Sequence, residues 1–247
     1  MSEKLRPSAR LWEIDAARGS AVIAMVFFHL MWDVQYTGLS NVNVFSTPWQ
    51  IFARGIGTSF IFLLGLSLSL VAVRLSPREL WRYAVRRSIV IIALGLLITA
   101  GTYAFIGDSY VRFGILHLLG SMLILSLPFV TAPLWLTIGA GLAIIAVGAY
   151  LTTLSAPFPW LTAVGVRQAG IAMVDYYPFL PWGGAALLGV ACGRLSYPNG
   201  RRRFALPDLS ATAPIRVLRF LGRHSLLIYI LHQPLLLGTL FGLRALV

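Results

Sequence analysis

The chain alternates between long apolar runs and short polar segments. A transmembrane helix needs roughly 20 mostly apolar residues. On that scale the pattern predicts seven spans, at 16–36, 49–73, 86–106, 112–130, 133–153, 178–195 and 218–242. The fourth and fifth are joined only by Thr131, Ala132 and Pro133, and a proline suits the start of the next helix. The sixth opens with "PFLPWGG", which predicts a broken or tilted beginning. Residues 154–177 read as an external loop lying partly in the interface. The expected fold class is an all-α, polytopic integral membrane bundle of about seven transmembrane helices, forming a single domain over residues 1–247.

Composition supports that class. The chain of 247 residues is 58% hydrophobic and only 11% charged, with a mean hydropathy of +0.81, too little polarity for a soluble domain of this length. Twenty Lys and Arg face eight Asp and Glu, giving a formal charge of +12. The bases fall between the apolar runs, which points to membrane topology rather than to nucleic acid. Sixteen of them lie in three segments: the N-terminal residues up to Arg18, the stretch from Arg74 to Arg87, and the stretch from Arg194 to Arg223. Placing these inside gives an N-in, C-out orientation, with a cytoplasmic segment at 1–15 and a cytoplasmic basic loop at 196–217. The opening "MSEKLRPSARLWEID" has no signal-peptide pattern, so the first apolar run reads as a span. Cys192 is the only cysteine, which excludes disulfides and Cys-based metal sites within one chain. Gly65 with Ser69, and Gly189 with Gly193, have the spacing at which helices approach closely.

The first span carries the chemistry. Within "RGSAVIAMVFFHLMWD" stand Arg18, His29 and Asp33, and each ionised group at mid-bilayer costs about 2.5–3.5 kcal/mol on the insertion scale. At about 100° and 1.5 Å per residue, Arg18 and His29 share one helix face about 16 Å apart. Asp15, Val22 and Asp33 extend the same stripe. Asp33, four residues beyond His29, is placed to accept a bond from its ring. Such a stripe should face protein or a water-filled cavity. An imidazole beside a carboxylate suits general-base work. The plainer alternative is an interfacial Asp15–Arg18 pair with His29 as a packing residue.

Other polar groups near the expected outer half are candidates for an acceptor or oxyanion site: Arg54, Arg112, His117, Asp175, Trp182, His232 and Gln233. Snorkelling arginines and an aromatic belt would explain several of them equally well. Arg74, Arg78, Arg82 and Arg86 recur every four residues, an array suited to anionic lipid head groups or to the phosphates of a cofactor.

The segments "EIDAARGSAVIAMVFFHLMWD", "FGILHLLG", "YYPFLPWGG" and "LGRHSLLIYILHQPLL" resemble the bacterial heparan-alpha-glucosaminide N-acetyltransferase catalytic-domain-like family. That family is similar to the transmembrane acyltransferases of the acyltransferase-3 type. Arg18 and His29 fit the Arg-x10-His spacing of that group, and Ser225, Tyr229 and His232 match its late-helix motif. The resemblance implies acetyl transfer from cytoplasmic acetyl-CoA to a sugar amine or hydroxyl at the far face of a bacterial inner membrane. It implies His29 as the catalytic residue and Arg18 as a donor-site residue.

The expected function is therefore a membrane acyltransferase, catalysed by His29 and Asp33, with Arg18, Arg82 and Arg86 on the acyl-CoA. The expected partners are the lipid bilayer, the acyl-CoA and an extracytoplasmic glycan or other sugar acceptor, with no nucleic acid and no metal. The sequence leaves room for an oligomer. Two other classes stay open, a proton-coupled transporter and a b-type haem protein with axial histidines.

Overall fold

A computed structural model describes residues 11–244. Among these, eight α-helices account for the regular structure: α1 (Trp12–Tyr36), α2 (Thr47–Ala72), α3 (Pro77–Ile106), α4 (Ile115–Leu125), α5 (Leu134–Leu151), α6 (Phe179–Ser196), α7 (Ala213–Arg223) and α8 (Ser225–Arg244). No strand occurs among the described residues, only an isolated bridge between Ser155 and Arg167. Five helices are long and apolar enough to cross a membrane by length and composition: α1, α2, α3 with the turn after it, α5 and α8.

Four expected spans are revised. The fourth, 112–130, contains only the 11-residue α4 followed by a short turn around Pro128. Eleven residues rise about 16 Å, roughly half of a hydrocarbon core. The sixth is α6, which lies outside the set of five, and its opening is broken as its prolines suggest, with Leu180 in an extended conformation. The seventh, 218–242, is two helices. The end of α7 and the start of α8 meet at His224, and the apolar pattern alone did not show the reversal. The last part of the expected basic loop 196–217 is accordingly helical. The third span starts earlier than expected, because Ser76 and Glu79 form a capping box around Pro77. Arg78, Arg82 and Arg86 therefore lie on α3, while Arg74 stands in the turn before it. The segment Met1–Arg10, with Lys4, Arg6 and Arg10, is outside the described residues.

The chain forms two compact units, residues up to Phe60 together with Leu206 onward, and Ile61–Ala205. In the first unit α7 runs antiparallel along the N-terminal half of α1. A Cβ on Gly19 would collide with the Leu218 carbonyl, and one on Gly222 with the Asp15 carbonyl, so the two backbones touch. Beyond His224, α8 runs back in the direction of α1. His232 meets His29, Gln233 meets Asp33, and Arg244 donates to the Thr37 carbonyl. The turn after α1 is clamped at Val44, whose N–H donates to Gln35 and whose carbonyl accepts from Gln50.

In the second unit the two small-residue motifs pack against one another's helices. Gly65 abuts the Ala186 carbonyl, Gly189 the Phe62 carbonyl, and Gly193 the Ser69 side chain. Gly141 and Gly184 bring α5 and α6 together in the same way. Such contacts suit a membrane protein, where close backbone approach supplies packing that hydrophobicity cannot. Arg194 is folded inward. Its guanidinium donates to the carbonyls of Phe129 and Ala132, satisfying acceptors left open where the chain turns into α5.

Candidate active site

The stripe expected on α1 is the face this helix turns to α7 and α8. Asp15, Gly19, Val22, Met25 and Asp33 are buried along it, whereas Ile23 and Phe27 on the opposite side are each 49% exposed. At the N-terminal end of α1 the buried Asp15 carboxylate takes two cations. Arg18 approaches from one turn along at 3.5 Å, and Arg223, the last residue of α7, donates through Nε at 3.1 Å.

The histidine is held in a defined tautomer. His29 Nδ1 lies 2.9 Å from the Met25 carbonyl. A carbonyl only accepts, so Nδ1 carries the proton, and the neutral ring keeps its lone pair on Nε2. His232 repeats the arrangement on α8, with Nδ1 2.7 Å from the Tyr229 carbonyl. The two rings meet edge to face, centroids 4.7 Å apart. Two imidazoles, each fixed by its own helix backbone, thus meet with the lone pair of each neutral ring on Nε2.

Asp33 differs from expectation. Its fully buried carboxylate accepts from Gln233 Nε2 at 2.6 Å and makes no hydrogen bond to the His29 ring. A helical side chain leans toward the N-terminus of its helix, and His29 finds the Met25 carbonyl there, one turn back. The orienting group for His29 is therefore a main-chain oxygen, which no residue pattern could reveal. Arg223 and Gln233 as partners of Asp15 and Asp33 were equally hidden, because more than 190 residues separate each pair along the chain.

The remaining candidates are distributed. Arg54, on α2, is exposed. Arg82 and Arg86 are exposed on α3. In the second unit Arg112 lies over the Tyr110 ring at 4.4 Å, and Trp182 packs on Tyr177 with centroids 4.9 Å apart. Asp175 accepts from the Ile115 N–H at 3.0 Å, and His117 Nδ1 accepts from the Gly114 N–H at 3.3 Å. Both satisfy orphan donors at the start of α4, and the carboxylate also complements the positive end of that helix. The neutral His117 consequently carries its proton on Nε2, the reverse of His29 and His232.

Residues 10–234 match the family model described as heparan-alpha-glucosaminide N-acetyltransferase, catalytic. The chain belongs to that family. The heparan-alpha-glucosaminide N-acetyltransferase match covers every candidate residue named above, from Arg18 to Gln233, and stops within α8. Membership makes the chain an integral membrane protein of acetyltransferase type. No curated protein and no solved structure matches it.

Proposed function

We propose that the chain transfers an acetyl group from cytoplasmic acetyl-CoA to an amine or hydroxyl of a sugar at the outer face of a bacterial inner membrane, with His29 as general base. The observation that carries this reading is the His29 tautomer. With Nδ1–H held by the Met25 carbonyl, the lone pair on Nε2 is aimed away from the backbone, beside His232. An acceptor N–H or O–H bonded to that Nε2 gives up its proton there as its lone pair attacks the acyl carbon. The imidazolium then holds a proton for the departing sulfur, and the carbonyl on Nδ1 keeps the ring in place through both transfers.

Acetyl-CoA supplies the activated acyl group as a thioester. Its phosphates suit the Arg18–Asp15–Arg223 cluster, where two cations share one carboxylate. Arg82 and Arg86, exposed on α3, are further donor-site candidates. Asp33 acts in this reading by tying α1 to α8 through Gln233. The acceptor or oxyanion group is sought among Arg54, Arg112, His117, Asp175, Trp182, His232 and Gln233.

The test is acetyl transfer to D-glucosamine by the purified protein in lipid nanodiscs, using radiolabelled acetyl-CoA. His29→Gln should lower turnover by about 10²- to 10⁴-fold, the usual contribution of a positioned base, with the thermal midpoint little changed. A folded His29→Gln protein working at the wild-type rate would remove His29 from the chemistry.

A further inference from the structure

A feature just beyond His29 points to where the acceptor sits. Trp32 and Tyr36 stack on each other with ring centroids 5.2 Å apart and planes 8° from parallel. Tyr36 is 67% exposed, although it stands near the end of an apolar helix. The pair lies on the same side of α1 as the catalytic candidate His29 and the donor-site candidate Arg18. With His29 at zero and about 100° per residue, Tyr36 falls at about −20° and Trp32 at about −60°, whereas exposed Ile23 and Phe27 fall at about 120° and 160°. Arg18, at about −20°, lines up with His29 and Tyr36. One helix face therefore carries, in order, a cationic cluster, a base with a defined lone pair, and a stacked aromatic panel whose outer ring face is free.

We infer that the Trp32–Tyr36 panel is the acceptor subsite, binding the apolar C–H face of an amino-sugar ring. The inference rests on the proposed acetyl transfer with His29 as base. Trp32 stands just under one helical turn beyond His29, a rise of about 4.5 Å, which is within the span of a single six-membered ring and its amino substituent. The panel lies on the side of His29 away from Arg18, which keeps acceptor and donor apart until they meet at the imidazole. A pyranose combines an apolar ring face with a polar rim, and an exposed, rigid aromatic surface matches the face while leaving the rim to water.

The experiment uses the full chain in lipid nanodiscs, with D-glucosamine as the ring-bearing probe and ethanolamine as an acyclic amine control. Trp32→Leu and Tyr36→Leu keep apolar bulk and remove the π face. Each should raise the glucosamine KM about 5- to 10-fold, the range expected for loss of one stacking contact. The saturated kcat, the acetyl-CoA KM and the ethanolamine kinetics should stay at wild-type values. Tyr36→Phe, which retains the face, should behave as wild type. Folded leucine variants with an unchanged glucosamine KM would overturn the inference, as would equal losses on ethanolamine. Equilibrium dialysis with tritiated glucosamine separates this from failure of the transfer reading. Saturable binding that the leucine substitutions weaken, in a wild type that transfers nothing, leaves the panel standing and removes the acetyl transfer. Absence of saturable binding, with transfer intact, removes the panel alone. If Trp32→Leu does not fold, the exposed Tyr36 decides the question.

Discussion

Replacing Asp33 by Asn separates two accounts of how His29 is held. In a Ser-His-Asp site the carboxylate fixes the imidazole tautomer, and its conversion to the amide costs about 10⁴-fold in kcat. Here the tautomer is fixed by the Met25 carbonyl, and the Asp33 carboxylate is bonded to Gln233. What Asp33→Asn removes from catalysis is then only a charge one helical turn away. At roughly 6 Å and an effective dielectric of about 20, a full charge pair interacts by about 3 kcal/mol. With about half a proton transferred in the transition state, about 1.4 kcal/mol is felt, or roughly tenfold in rate. The amide oxygen can still accept from Gln233, so the thermal midpoint should hold or rise. Gln233→Leu should do the opposite. It leaves a buried carboxylate without its donor, an error of about 1–3 kcal/mol or more in stability, while the rate per folded molecule should fall modestly. Turnover of D-glucosamine acetylation, normalised to folded protein and read beside thermal midpoints, measures both effects. A folded Asp33→Asn protein that loses 10³-fold or more in kcat would refute the argument, because the carboxylate would then have to bond the imidazole during the reaction.

The backbone contact of α1 and α7 gives a second expectation, one of sign. Gly222→Ala should destabilise, since its Cβ meets the Asp15 carbonyl and overpacking typically costs about 1–3 kcal/mol. Gly139→Ala, on α5 with open space around it, should stabilise by up to about 1 kcal/mol through helix propensity, and thermal midpoints of both variants would show whether the contrast holds. The N-in, C-out orientation implies that a cysteine placed at Asn41 reacts with a membrane-impermeant maleimide in intact cells and one at Arg202 does not, in a Cys192→Ser background. The reverse pattern would invert the topology.

The parts of this molecule legible in its sequence are those set by local rules. Apolar length placed α1, α2, α5 and most of α3, and helical periodicity put Arg18, His29 and Asp33 on the face that proved to be buried. The capping signal Ser76-Pro77-Arg78-Glu79 was present in the chain and would have moved the start of α3 to where the structure has it. The errors arose where length and periodicity carry no information. An apolar run from 112 to 130 does not say that its helix stops at Leu125, because Pro128 breaks a run without changing its hydropathy. Nor does the run from 218 disclose the turn at His224, since Phe220 and Leu221 on one side and Leu226 and Leu227 on the other read as one span.

That turn matters for the site more than its single residue suggests. Because the chain reverses at His224, α7 and α8 both lie along α1, one antiparallel to its N-terminal half and the other parallel to its C-terminal half. Arg223 thereby reaches Asp15, while His232 and Gln233, only nine and ten residues later, reach His29 and Asp33. A straight helix over 218–242 would carry Arg223 and His232 about 13.5 Å apart along its axis, well short of the rise of about 21 Å between Asp15 and His29 on α1. The reversal lets the two ends be matched separately: α7 adjusts the cationic cluster and α8 the imidazole pair. Charges that would each be costly alone in an apolar helix are thus met by partners from a segment whose register is set independently at each end. The partners of the two histidines, the Met25 and Tyr229 carbonyls, are main-chain atoms of the histidines' own helices, so the chemistry of the histidines is written in the backbone as much as in the side chains that a sequence displays.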